Sequence, residues 1–163
     1  MGSTKRSRPF QSRWKPALNT FEIAATRARK LPADVLVGLR TSLAGSIVAL
    51  GQEGASATAW QDLCVACIMA RRIEMHGVVK GLGALIGDAL RVLNDVHKRN
   101  LVDGHWHFSV PSEDELAVLR EMVEMHGFQL EQLSVGEFDQ VLVAARSEIA
   151  SMGIVVATPA SAP

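Results

Sequence analysis

The chain has 163 residues, 48% hydrophobic, 21% charged and 5% aromatic, with two cysteines and a formal net charge of zero. That length suits one domain with a real core, and that balance excludes a disordered chain and a disulfide scaffold. The zero hides a split. Through Lys30 there are eight Lys/Arg against one acid, Glu22, and beyond it nine against sixteen, so a basic arm precedes an acidic body.

Residues 1–16, "MGSTKRSRPFQSRWKP", hold the cations Lys5, Arg6, Arg8, Arg13 and Lys15, two prolines and no hydrophobic period. They read as a flexible arm. No apolar signal-peptide core follows, and no uncharged run approaches the roughly 18 residues of a membrane span. The expected setting is a reducing cytoplasm, with no membrane partner.

Asn19 or Thr20 is placed to cap a short helix running to Lys30, and Pro32 to open the next. Val35, Leu36, Leu39, Leu43, Ile47 and Leu50 then recur every three or four residues, the period of an amphipathic helix that ends at "GQEGAS". Thr58 with Gln61 reads as a capping box for the longest segment, in which Trp60, Leu63, Cys64, Cys67, Ile68, Arg71 and Met75 follow helical spacing. The pattern resumes from Leu82 through Leu93 towards Asn100, interrupted by Gly77, Gly81, Gly83 and Gly87. Unbroken, Thr58–Asn100 would span about 65 Å, against roughly 30 Å across a compact domain. A break between Gly77 and Gly87, giving an antiparallel pair and a monomer, is therefore expected.

After the loop "VDGHWHFSVP", Ser112 with Glu115 and Ser134 with Glu137 form two further capping boxes, each opening a helix of roughly fifteen residues. No hairpin or βαβ signal stands out. The expected organisation is an arm over 1–16, an all-α single-domain bundle of five to six helices over 17–152, and a loose tail over 153–163.

The chemical candidates are few. "EMHG" occurs at 74–77 and again at 124–127. Residues two apart on a helix point about 200° from one another, so neither glutamate can orient its histidine. The repeat reads as structural, with Met75 and Met125 on apolar stripes, the glutamates in water, and Gly77 and Gly127 at close helix approaches. Cys64 and Cys67 with His105 and His107 make a nominal two-Cys, two-His zinc set. The cysteines sit inside an apolar helical run, which favours small buried side chains over ligands, so neither metal nor cofactor is expected. Phosphate loops, nucleophile elbows and HExxH patterns are absent from the sequence, which points to a protein that is not an enzyme.

The arm is the strongest positive signal. "KRSRPFQSRWK" interleaves its five cations with Phe10 and Trp14, a composition that suits phosphates with stacked bases, an acidic protein groove, or a solubilising tail. The stretches "NTFEIAATRARKL" (19–31), "WQDLCVACIMARRIEMHGVVKGL" (60–82) and "HGFQLEQLSVGEF" (126–138) resemble small helical proteins of proteobacterial prophages and plasmids. The resemblance implies a mobile-element accessory protein that binds a host or mobile-element protein, an inhibitor of a host defence complex such as CRISPR among the possibilities. It carries over no catalytic residue. The alternative reading is a nucleic-acid accessory or regulatory protein working through the arm.

Overall fold

The computed structural model describes residues 20–53, 57–102, 105–107 and 109–152. Among these are six helices: α1 (Thr20–Arg27), α2 (Ala33–Leu50), α3 (Ala57–His76), α4 (Gly83–Asn100), α5 (Glu113–Gln132) and α6 (Val135–Ser151). The fold is an all-α bundle, as composition and periodicity require. The arm over 1–16 and the tail over 153–163 lie outside the described residues.

Helix α3 is the axis. It packs against α2, α4, α5 and α6, and its buried residues run around its circumference, as in a helix with no solvent face over much of its length. On one side Leu63 and Cys67 join Leu50 of α2, Ala89 and Leu93 of α4, and Leu119 and Met122 of α5. On the other, Ile68 and Ile73 join Leu130, Leu133 and three residues of α6, Val141, Ala145 and Ile149. The backbone of 29–31 is tied to the α5–α6 junction, where Val135 N–H donates to Arg29 C=O at 2.8 Å.

The long segment does break. Gly77 and Gly81 have φ of +89° and +99°, values at which an L side chain is strained. Gly77 N–H closes α3 on Ile73 C=O at 3.2 Å, and the carboxylate of Glu74 accepts from Gly81 N–H at 2.9 Å. The chain returns as α4, which packs along α3 and buries Ile86 and Leu93 with Leu82, Leu85 and Leu90 packed around them. The apolar stripe of the second half is thus covered within the chain.

Both downstream capping boxes form. Glu115 N–H donates to Ser112 Oγ at 3.3 Å while Ser112 N–H donates to Glu115 Oε2 at 2.8 Å, and Ser134 with Glu137 repeats the pattern. The helices they open are longer than expected, 20 and 17 residues. Hydrogen bonds from Arg99 hold the Glu115 carboxyl below its usual range, and the N–H of Ser134 does the same for Glu137.

Four local expectations need correction. Thr58 is the second residue of α3 rather than its cap, because the helix already begins at Ala57. The first helix ends at Arg27, short of Lys30, and Thr20 is its first residue, while Asn19 lies outside the described residues. Met75 is 70% exposed, since the chain turns away at Gly77 and leaves one side of the last turn of α3 uncovered while Ile73 on the other stays in the core. A short antiparallel hairpin is also present, with Leu101 opposite Trp106 and Val102 opposite His105. Asp103–Gly104 between those pairs is a strong hairpin signal in sequence.

Candidate functional site

The arm residues Lys5, Arg6, Arg8, Phe10, Arg13, Trp14 and Lys15 lie outside the described residues. The four nominal zinc ligands are separated by environment. Cys64 and Cys67 are buried in α3, where burial pushes the Cys64 thiol up to about 12 and raises Cys67 further, with Cys64 beside it adding to the effect. Neutral thiols of this kind are poor ligands and poor nucleophiles. His105 and His107 are exposed on and beside the hairpin. Among the described residues no group of three or more His, Cys, Asp and Glu is placed to hold a metal.

Helix α2 presents a surface that the apolar periodicity overlooked. Its inner side places Ile47 and Leu50 in the core, with Leu39 and Leu43 beside them. Its outer side is also apolar: Val37 and Val48 are 62% and 60% exposed, one above the other after three turns. Between them Gly38 and Gly45 have, among the described residues, nothing within 4 Å of where a Cβ would stand. On length and composition α2 would suffice to cross a membrane, with mean hydropathy 1.5, yet only 17% of it is buried here. Alongside runs a groove of about 570 Å³ between α2 and α5, floored by Ile47 and Val123 and rimmed by Arg40, Arg120 and Glu124. Arg40 pairs with Glu131 at 2.6 Å and Arg120 with Glu113, whereas Glu124 makes no ion pair among the described residues.

A second concavity of about 680 Å³ lies between α3 and α4, reaching Met152 at the end of α6. Trp60 and His97 line it, stacked with ring centroids 4.7 Å apart and planes 23° from parallel. The Trp60 indole N–H donates to Leu93 C=O at 2.7 Å, which fixes the ring. Trp106 of the hairpin closes on both rings at 5.8 and 6.0 Å. The short sheet therefore buttresses this aromatic wall. The spacing of Trp60 and His97, 37 positions apart, carries no sequence signal; only the α3–α4 turn brings them together.

The two histidines of the repeated tetrapeptide part company. His76 is exposed in the last turn of α3. His126 is buried within α5, its Nδ1 3.2 Å from Gln129 Oε1, while Gln129 Nε2 donates to Ala70 C=O at 3.3 Å. An amide oxygen only accepts, so Nδ1 carries the proton of a neutral imidazole. Burial lowers its pKa to about 4, partly offset by the hydrogen bond to Gln129. This buried network ties α5 to α3. No family model, curated protein or solved structure matches the chain.

Proposed function

We propose that this protein works without catalysis, by docking another protein on the outer face of α2 and the α2–α5 groove. One observation carries the reading: an 18-residue helix of mean hydropathy 1.5 leaves 17% of its length buried and sets Val37, Ala44 and Val48 outward. An exposed apolar stripe of this kind marks an interaction surface more often than an idle one. The open positions at Gly38 and Gly45 admit close backbone approach, so the partner of choice is an amphipathic helix laid into the groove. Anchoring of α2 through Ile47, Leu50 and the Arg40–Glu131 pair favours this over insertion into lipid.

The resemblance at residues 19–31, 60–82 and 126–138 is what supports a mobile-element setting, with a host protein, defence complexes included, as the target. The test is affinity capture from proteobacterial lysates with the full chain and with Val37→Asp/Val48→Asp, followed by mass spectrometry. A partner held by the full chain and lost from the double variant is the expected result. Partners retained equally by both, or none from several hosts, would overturn the reading; unchanged host immunity in a plasmid-interference assay would remove the defence case. The basic arm supports a second reading, nucleic-acid binding, through five cations and two rings within residues 5–15. It requires a salt slope of about −4 to −5 on duplex DNA that disappears when residues 1–16 are deleted.

A further inference from the structure

We propose that the cleft between α3 and α4 is a binding site for a planar aromatic monoanion. The cleft lies on other helices than the α2 face and does not depend on that reading. Its volume, about 680 Å³, falls in the range of small-molecule sites, roughly 300–1,000 Å³. Trp60 and His97, fixed as a stacked pair, both line the cleft and give an aromatic ligand a preset partner for edge-to-face or offset-stacked contact, and Leu90 supplies apolar floor. Gln61 on α3 and Asn94 on α4 offer amide donors from opposite sides.

The charge of the site selects the sign of the ligand. Among the described residues no Asp or Glu lines the cleft, and Arg71 does. Arg71 and Arg72 both donate to one carboxylate, Glu148, so among the described residues this cluster carries a net positive charge of one at the cleft edge. A ligand cation would be repelled by that charge, whereas a monoanion neutralises it. The Cys64 thiol in the wall stays neutral and so does not repel an anion.

The test uses the full chain and two probes that share one flat ring system: naphthalene-2-sulfonate, a planar aromatic monoanion, and its uncharged parent, naphthalene. Saturable one-to-one binding of the anion, at least about tenfold tighter than the parent, is expected from one charge-assisted contact. Arg71→Gln should erase that preference while leaving the parent's affinity in place, and Arg71→Lys should restore most of it. Asn94 is exposed, so Asn94→Trp should fill the cleft without disturbing the core and weaken both probes about tenfold or more. Equal affinity for the two probes in the unmodified chain would overturn the proposal. So would anion binding that survives Asn94→Trp unchanged, or that is lost instead in Val37→Asp/Val48→Asp, since the probe would then sit on α2.

Discussion

Glu-Met-His-Gly occurs twice, and the two copies share almost nothing else. In the first, at the end of α3, Met75 and His76 face water, Gly77 takes a left-handed φ, and Glu74 folds over the turn to receive Gly81 N–H. In the second, within α5, His126 is buried in a hydrogen-bonded chain to Ala70, Gly127 lies against Arg40, and Glu124 sits on the rim of the α2–α5 groove. The first copy turns the chain and the second fastens two helices. Four identical residues thus take their roles from what surrounds them: a helix that stops at Gly77, and one that continues past Gly127 because α2 and α3 cover it.

The sharpest way to break that comparison is to truncate each histidine. His126→Ala removes a buried ring and leaves Gln129 Oε1 without its donor, which should cost about 3 kcal/mol. His76→Ala, at an exposed position, should stay within about 0.5 kcal/mol. Urea unfolding of the two variants checks this; similar midpoints would mean that burial does not separate the copies.

Acid gives the next largest effect. His126 titrates at about 4 in the fold against about 6.5 in an unfolded chain, so the unfolded state binds the proton first. Its contribution is fully present above pH 6.5 and fades as the pH falls towards 4. Between pH 7 and pH 5 the loss should be about 2 kcal/mol. The same interval should cost His126→Leu markedly less. Equal acid sensitivity in the two proteins would assign the effect to other groups.

What the sequence made legible is what depends on neighbours in the chain. The boxes at Ser112 and Ser134 require only a residue and its third successor, and both form. The break after Gly77 followed from glycines in a segment too long for the domain. The burial of His126 was not legible, because it depends on Gln129 reaching Ala70 across 59 positions. The outer face of α2 was hidden by its own periodicity: Leu36, Leu39 and Leu43 satisfy one stripe, and nothing in that count registers Val37 and Val48 on the other side. The aromatic wall depends on the hairpin, whose local sequence signal is the single pair Asp103–Gly104.

The glycines divide the copies more finely. Gly77→Ala forces a φ of +89° on an L residue and should destabilise by about 1–2 kcal/mol. Gly127→Ala places a Cβ 2.8 Å from Arg40 Nε, and that side chain, half exposed, can swing away at the expense of its pair with Glu131. A surface pair of that kind contributes at most about 1 kcal/mol, and alanine within a helix gains about as much over glycine. Near-neutral Gly127→Ala beside a destabilised Gly77→Ala is the expected outcome in thermal melts. The reverse order would place the tighter constraint at the helix crossing.

The smallest difference belongs to the glutamates. Glu74 Oε1 accepts from Gly81 N–H at 2.9 Å, and its carboxylate lies 3.4 Å from where a Cβ of Gly83 would stand, so the side chain braces the turn into α4. Glu74→Ala frees that N–H to water, since Gly81 is exposed, and it also removes Oε2, which is buried without a partner among the described residues, so the cost is at most the net worth of one hydrogen bond to a charged acceptor, about 1 kcal/mol. Glu124 makes no ion pair among the described residues, and Glu124→Ala should change stability by less than about 0.5 kcal/mol. Amide hydrogen exchange separates the two beyond their melting curves. Glu74→Ala should speed exchange at Gly81 and the first turn of α4 while leaving α5 untouched, because the brace acts only on the turn. Faster exchange across α5 in Glu74→Ala would mean that the turn holds more of the bundle than its one hydrogen bond implies.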